Sequence, residues 1–271
     1  SSTNNTSTQS GAASTANPSM NSQSFTTAVK KFGTHSIAFP SRAASSNSSV
    51  DFAPSGFPTF KDTSNLWTLE LWVYQTARQS AGVDPDYEDS AIWAVGDTYT
   101  SINVGSTGKV RLNQYNSGRN FYYWNSAYTL PLNQWVHMTF VWGSSTIKAW
   151  FDGVYQGSVT RITLDTSAPT GCRFGASAGG TARNFEGYMD SIRLTNAERY
   201  TGTSNIAVPT KEHYPLGSVA NATGSFESNA ITADSSTNKM GAVITYQDNA
   251  GTNTLNTDIV LKLSADNGSN Y

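Results

Sequence analysis

The sequence predicts an all-β protein built as a sandwich of two antiparallel sheets. Along most of residues 30–200, apolar and polar side chains alternate with a period of two. Clusters of Gly, Pro, Asn and Asp interrupt this alternation, as turns between strands require. Almost no stretch has the 3.6-residue period of a helix. At 271 residues the chain is long enough for one large sandwich or for two smaller domains.

Composition narrows the possible functions. Charged residues make up 13% of the chain, against a usual value of about 25%, and the net charge is −2. This balance argues against nucleic-acid binding through a basic surface. No apolar run approaches the roughly 18–20 residues that a membrane span needs, so we expect no membrane insertion. The single cysteine, Cys172, excludes an intramolecular disulfide.

The elements are predicted in chain order. Residues 1–29 are polar, contain no charge before Lys30 and read as a linker or an extended arm. Residues 30–200 form the sandwich. Its predicted strands are Ser36–Phe39, Val50–Phe52, Thr68–Gln75, Ala91–Gly96, Thr100–Val104, Lys109–Tyr115, Phe121–Trp124, Trp135–Trp142, Ile147–Phe151, Val154–Thr160, Cys172–Phe174 and Gly187–Leu194.

Two of these strands carry bulky side chains on both faces. They are Thr68–Gln75 and Trp135–Trp142, and this pattern predicts central strands that are covered on both sides. Asp152 and Gly153 separate two other strands, and this residue pair suits a two-residue hairpin because both positions tolerate a positive φ.

The C-terminal part departs from the sandwich pattern. Asn196–Tyr200 is predicted as one helical turn with Asn196 as its N-cap, and residues 201–217 as a linker. Residues 218–271 read as a partial second β domain or as strands that complete another chain's sheet. The strands predicted there are Ser225–Ile231, Gly241–Gln247 and Asp258–Ser264.

Four sequence blocks carry a family resemblance. The string NQWVHMTFVWG, followed by IKAWFDGVYQG within residues 133–157, resembles the central hairpin of concanavalin A-like, laminin-G-type jelly rolls. Residues 185–196, FEGYMDSIRLTN, are similar to the closing strand of that family. Residues 31–39 and 67–73 match its opening strand and first long strand. The resemblance implies a concanavalin A-like jelly roll over residues 30–200.

A second resemblance concerns the C-terminal part of the chain. Residues 197–210, AERYTGTSNIAVPT, are similar to the ending of such domains in bacteriophage tail-fibre and other virion proteins. Residues 226–264 resemble regions of phage structural proteins. These similarities imply a virion location, other virion subunits as partners and a homo-oligomer.

Hydrolytic chemistry is not predicted. Glucanases with this jelly roll place two carboxylates about 5–5.5 Å apart, from an E-x-D-x-x-E string. No such string is present here. Glu186 and Asp190 are four residues apart, or roughly 13 Å along a strand. We therefore expect no enzymatic activity and no catalytic residue.

A zinc site is not predicted, because the histidines lack metal-ligand spacing. A structural calcium ion is a candidate cofactor. Asp84, Asp86 and Glu88 belong to an acidic run at residues 84–89, for which a solvated loop is the competing interpretation. Asp190 is a candidate ligand by analogy with acidic residues on the same strand of the family.

Residues 113–124 combine aromatic and amide side chains, which suits a sugar site. A turn at residues 117–118 would bring the polar groups to a rim, with an aromatic platform below. Packing within the sandwich is the competing role for these rings. The candidate carbohydrate contacts are Tyr115, Asn116, Arg119, Asn120, Tyr122 and Trp124.

These observations favour a non-enzymatic virion structural or fibre protein, with a lectin-like domain for host-surface glycan attachment or for virion assembly. The alternative is a carbohydrate-binding module of a secreted polysaccharide-active enzyme. A third possibility is a purely architectural protein, in which the polar arm and the C-terminal strands hold neighbouring subunits.

Overall fold

A computed structural model describes residues 19–40, 49–52, 63–78, 90–95, 100–116, 121–164, 172–176, 184–212, 228–244, 254–257, 259–266 and 269–270. In these ranges the chain forms fourteen β-strands, and they contain no helix. The strands are β1 (Ser19–Asn21), β2 (Ser24–Thr26), β3 (Ser36–Phe39), β4 (Ser49–Phe52), β5 (Trp67–Gln75), β6 (Ser90–Val95), β7 (Thr100–Val104), β8 (Lys109–Tyr115), β9 (Phe121–Thr129), β10 (Trp135–Trp142), β11 (Thr146–Phe151), β12 (Val154–Thr160), β13 (Cys172–Phe174) and β14 (Gly187–Thr195).

The strands form two sheets of seven strands each, in which all named pairs are antiparallel. Sheet A has the order β1-β4-β13-β6-β7-β8-β9, and sheet B has the order β12-β11-β10-β5-β14-β3-β2. The predicted all-β sandwich is therefore confirmed. All twelve strands predicted between residues 30 and 200 are present; most ends shift by two residues or fewer, but β9 continues to Thr129, five residues beyond its predicted end.

The core lies between the two sheets. Alternation on β5 directs Leu69, Leu71 and Val73 inward, and each has no exposed surface. Trp93 of sheet A meets Trp142 of sheet B with their ring centroids 5.1 Å apart. Aromatic area thus supplies much of the burial.

The outer face of sheet B is covered by residues 197–206, here called the covering segment. The Oγ1 of Thr68 donates a hydrogen bond to the carbonyl oxygen of Ala197 at 2.7 Å. The indole Nε1 of Trp150 donates to the carbonyl oxygen of Ser204 at 2.9 Å. This explains why β5 and β10, which lie at the centre of sheet B, carry bulk on both faces. Part of the predicted linker is thus packed on a sheet.

The hairpin between β11 and β12 turns at Asp152 and Gly153, as predicted. Their φ angles are 46° and 77°, so both central residues adopt the left-handed conformation. The side chain of Asp152 also accepts a hydrogen bond from the main-chain N–H of His137 at 2.8 Å. This bond ties the turn to the start of β10.

Three predictions of secondary structure fail. Residues 19–26, assigned to a polar arm, contain β1 and β2, which pair with β4 and β3. Residues 196–200 are not helical. The described parts of the three predicted C-terminal strands are not strands, and Leu255 and Ile259 form the one β-bridge among described residues beyond 215.

The chain has two compact units, Ser1–Pro215 and Leu216–Tyr271. In the described part of the second unit, large apolar side chains are exposed, and Ile231 and Val243 are 91% and 95% accessible. No helix in the described ranges is long and apolar enough to span a bilayer.

Candidate functional site

The outer face of sheet A carries the polar side chains of the predicted sugar-binding stretch. On β8, Val110 and Leu112 are buried in the core, and Gln114 on the same face bonds to the end of β12. Lys109, Arg111, Asn113 and Tyr115 therefore occupy the outer face.

A polar patch lies on this face and consists of Ser101, Asn103 and Asn113. Ser101 pairs directly with Asn113 across β7 and β8. Its Oγ accepts hydrogen bonds from the Nδ2 atoms of Asn103 at 2.9 Å and of Asn113 at 3.3 Å. The three residues are 3%, 4% and 8% exposed, respectively. The amide groups are thus held in one fixed orientation.

The side-chain carbonyl oxygen of Asn113 takes no part in these hydrogen bonds. It is buried and has no hydrogen-bond partner. Leaving a buried acceptor unsatisfied costs about 1–3 kcal/mol. A hydroxyl or water donor from a ligand or solvent would remove that cost.

The border of the polar patch is more accessible. Arg111 is half-buried, and its Nε donates a hydrogen bond to the Oδ1 of exposed Asn125 at 3.0 Å. Farther across the same sheet, Arg173 forms an ion pair with Asp51. Of these two pairs, the Arg111–Asn125 pair is therefore the one that borders the polar patch, at neighbouring positions of β8 and β9.

The predicted carbohydrate contacts divide among different positions. Tyr115 and Asn116 are half-buried at the end of β8. Tyr115 lies on the outer face of the sheet. Arg119 and Asn120 lie outside the described residues. Tyr122 pairs with Gln114 through the main chain, and its side chain is outside the described set.

Trp124 does not share the face of Tyr115. It pairs with Leu112, packs against the core and would lie 3.3 Å from a Cβ placed on Gly157 of the opposite sheet. This position does not support Trp124 as the platform below Tyr115. The competing interpretation, in which part of the stretch packs the sandwich, describes Trp124.

Asp190 was the family-implied calcium ligand, and its contacts do not fit that role. Its Oδ2 accepts hydrogen bonds from the main-chain N–H groups of Lys31 at 2.8 Å and Phe32 at 3.1 Å. Its Oδ1 accepts from the N–H of Ser191 at 2.7 Å. Amide hydrogens that surround both oxygens oppose a cation, and they show that Asp190 fastens residues 31–32 to β14. Burial raises the pKa of Asp190, against the effect of these bonds.

The other candidate calcium ligands, Asp84, Asp86 and Glu88, lie outside the described residues. In the described ranges, no group of three or more His, Cys, Asp and Glu side chains could hold a metal ion. Calcium binding by the acidic run stays a prediction.

The outer face of sheet B is closed by a charged cluster. Buried Glu70 accepts hydrogen bonds from Arg193 and from the hydroxyl of Tyr200 at 3.0 Å, and Arg199 lies 3.3 Å from it. Burial and the charge of Glu70 raise the pKa of Tyr200. These contacts hold the covering segment, so this face is not a free ligand surface.

Ser101 and Asn103 were missed by sequence reasoning. The alternation within residues 100–104 puts both on one face of β7, opposite Ile102. A polar face on an otherwise apolar strand could have identified them. The register that aligns Ser101 with Asn113 is not readable from one strand alone.

Fold and site together define a two-sheet jelly roll of the lectin type with a polar outer face. The family model for the concanavalin A-like lectin/glucanases superfamily matches residues 44–202. The chain therefore belongs to this superfamily, and the jelly-roll resemblance found in the sequence is confirmed.

Solved structures show the same fold at low sequence identity. The receptor binding domain of botulinum neurotoxin D is 9% identical with a TM-score of 0.52, over 71% of this chain and 48% of that chain. The binding domain of Paraclostridial Mosquitocidal Protein 1 is 12% identical with a TM-score of 0.51, over 69% and 45%. This chain thus spans less than half of either protein.

A third similar structure is Domain 4 of AbnA, a GH43 extracellular arabinanase from Geobacillus stearothermophilus, in complex with arabinotriose. It is 16% identical with a TM-score of 0.47, over 65% of this chain and 76% of that chain. No curated protein sequence matches this chain.

Proposed function

We propose that the sandwich is a non-enzymatic carbohydrate-binding module that holds a polysaccharide on the outer face of sheet A. One observation carries the proposal. The carbonyl oxygen of Asn113 is buried and unpartnered, within a patch whose other amide hydrogens are engaged on Ser101. This oxygen has almost no accessible surface, so a sugar hydroxyl reaches it only when the Asn113 side chain turns outward, and the hydroxyl then supplies the donor that the oxygen lacks.

The neighbouring residues support a ligand that is rich in hydroxyl groups. Asn125 and Arg111 provide polar groups beside the patch, and Tyr115 provides an aromatic ring. The sequence also predicts Arg119 and Asn120 as contacts, and Tyr122 is left out of the proposed site because it pairs with Gln114 on the core-facing side of β8. Membership of a lectin and glucanase superfamily is compatible with this role.

The absence of catalysis is part of the proposal. Retaining and inverting glycosidases both need a pair of carboxyl groups, one of which acts as an acid. Both oxygens of Asp190 are occupied by main-chain amides, which favours a structural role for the carboxylate that the sequence singled out. We expect no release of reducing sugar from laminarin, agarose or alginate, and measurable release would contradict this part.

A glycan array tests the site. Asn113→Ala should weaken binding roughly two- to tenfold, because it removes one hydrogen bond of about 0.5–1.5 kcal/mol. Asn205→Ala is the matched control, since Asn205 lies on the covering segment and bonds to Tyr155 of sheet B. Asn125→Ala, at an exposed position, provides a second variant of the site if Asn113→Ala melts early.

Weaker binding by both site variants and unchanged binding by the control would support the proposed site. Parent-like affinity of folded Asn113→Ala and Asn125→Ala would place binding elsewhere. Absence of binding by the parent to a broad panel would refute the proposed function.

We also propose that this module serves a virion fibre or structural protein, as a homo-oligomer among other virion subunits. The similarity of residues 197–210 to virion proteins supports this role. The exposure of Ile231 and Val243 also supports it, because such side chains need a partner surface in an assembled particle. A carbohydrate-binding module of a secreted polysaccharide-active enzyme is the alternative.

Light scattering of the full chain tests the assembly role. Self-association that Val243→Asp abolishes, while Asn205→Ala preserves it, would support this proposal. A monomer at all accessible concentrations would contradict it and favour the secreted module.

A further inference from the structure

Two cationic side chains lie near the start of β8: that of Arg78 packs against Gly108, and Lys109 is the next residue of the chain. The Nη2 of Arg78 donates a hydrogen bond to the carbonyl oxygen of Leu130 at 2.6 Å. Its guanidinium lies against Gly108, where an added Cβ would be 2.6 Å from the guanidinium carbon. The Nζ of the adjacent Lys109 donates to the carbonyl oxygen of Ala127. Arg78 and Lys109 are called the cationic corner below.

Both of these acceptors are neutral. Within the part of the chain that the structure describes, neither cation pairs with a carboxylate. The Nε of Arg78 is in addition buried without a hydrogen-bond partner. A buried guanidinium N–H of this kind is an unused donor, and it is strongest toward an anionic oxygen.

The cationic corner adjoins the proposed carbohydrate site. Lys109 and Asn113 occupy the same face of β8, four residues or about 13 Å apart. A polymer that lies along this strand would meet the amide oxygen of Asn113, which accepts a hydrogen bond from a hydroxyl group, and the positive charge of Lys109. One ligand that contacts both positions therefore carries a hydroxyl group and an anionic group.

We infer that the carbohydrate held on sheet A is an acidic polysaccharide, whose carboxylate or sulfate groups bind at Arg78 and Lys109. This inference rests on the proposed function and specifies its ligand class. Guanidinium and ammonium groups both form charge-assisted hydrogen bonds with such anions. Salt screens these contacts more than it screens the hydrogen bonds at Asn113.

Matched pairs of polymers test the inference with the full chain. Dextran and dextran sulfate differ only in sulfate groups, and polygalacturonate differs from its methyl ester in free carboxylates. We expect the charged member of at least one pair to bind at least tenfold more tightly. The pair that shows the difference distinguishes sulfate from carboxylate. Raising the salt concentration should reduce that difference.

Variants at Lys109 localise the effect. Lys109→Gln should weaken binding to the charged polymer by about tenfold, as expected for one charge-assisted bond. Lys109→Arg should preserve binding because it retains the charge. Lys211→Gln removes the same charge from a residue that lies beside Arg193 of sheet B, and it should have no effect.

Failure of the inference differs from failure of the proposed function. Equal binding of charged and neutral polymers, sensitive to Asn113→Ala, would overturn the acidic ligand and keep the carbohydrate site. Equal losses in Lys109→Gln and Lys211→Gln would show attraction to overall charge and would also overturn the inference. No binding to any glycan would remove the proposed function itself.

Discussion

Replacing Gly153 by Ala should detach the covering segment from sheet B and destabilise the fold. Gly153 has a φ of +77°, a conformation that costs an L-residue about 1–2 kcal/mol. A Cβ there would lie 2.3 Å from the main-chain oxygen of Ile206, a contact that the backbone cannot accommodate without moving. Movement breaks the hydrogen bond from the N–H of Ile206 to the carbonyl oxygen of Gly153, which is 2.8 Å long.

The terms add to a measurable destabilisation. A lost hydrogen bond contributes about 0.5–1.5 kcal/mol, so the total is about 1.5–3.5 kcal/mol. For a domain of this size, the melting temperature should fall by roughly 3–14 °C. Thermal unfolding followed by circular dichroism provides the measurement. Tryptophan fluorescence should report the exposure of Trp150, whose indole bonds to Ser204.

Gly202→Ala is the matched control for this variant. Gly202 belongs to the same covering segment, has no positive φ, and its added Cβ would be 3.9 Å from the nearest atom. We expect it to melt within about 0.5 kcal/mol of the parent. Equal melting temperatures for Gly153→Ala and the parent would refute both the turn geometry and the docking of the covering segment at Ile206.

Two further predictions concern buried titratable groups. Asp190→Asn should destabilise the fold by about 1–3 kcal/mol, because an amide N–H replaces an acceptor facing main-chain N–H groups. Burial raises the pKa of Asp190 above its unfolded value, so its stabilising contribution is complete at acid pH and falls as pH rises through the raised pKa. The stability difference between parent and variant should shrink between pH 3 and pH 7 in melting experiments, and a growing difference would contradict this account. Burial raises the pKa of Cys172 to about 12, so iodoacetamide at pH 8 should label the unfolded chain and leave the folded chain unmodified. Rapid labelling of the native protein would show that this thiol is accessible.

Strands were predictable wherever burial imposes alternation on the sequence. β7, β8, β10 and β12 begin and end at the predicted residues because their inward and outward side chains differ in polarity. β1 and β2 contain three residues each, too few to display a period. β1 forms by pairing with β4, which lies far along the chain, and β2 forms by pairing with β3, which lies beyond a turn.

The failed helical turn at residues 196–200 has a tertiary cause. The Oγ1 of Thr68 donates to the carbonyl oxygen of Ala197 and accepts from the N–H of Arg199 at 3.1 Å. One side chain of β5 thus takes main-chain groups that a helical turn would have used. An N-cap signal at Asn196 is a local preference, and contacts with a strand remote in sequence override it.

The residue types of the candidate site were predictable from the sequence, but the face of the sheet on which each side chain lies was not. Alternation separates residues 121–124 into two sets, yet it does not say which set enters the core. The register decides this, since Trp124 pairs with buried Leu112. Asn113 fell within the predicted stretch, whereas its partner Ser101 is brought to it only by the pairing of β7 with β8.

The two outer faces of the sandwich therefore have different uses. On sheet B, Glu70, Thr68 and Trp150 direct their polar groups to the covering segment, and each of these groups has a partner within the chain. On sheet A, the carbonyl oxygen of Asn113 has none, and on sheet B the same is true of the indole Nε1 of Trp72 and the Oγ1 of Thr139. The two faces therefore differ in the covering segment, which packs on sheet B, and not in whether they contain unpartnered polar atoms. Asn205→Ala and Asn113→Ala therefore separate the stabilising role of the face of sheet B from the binding role that we propose for the face of sheet A.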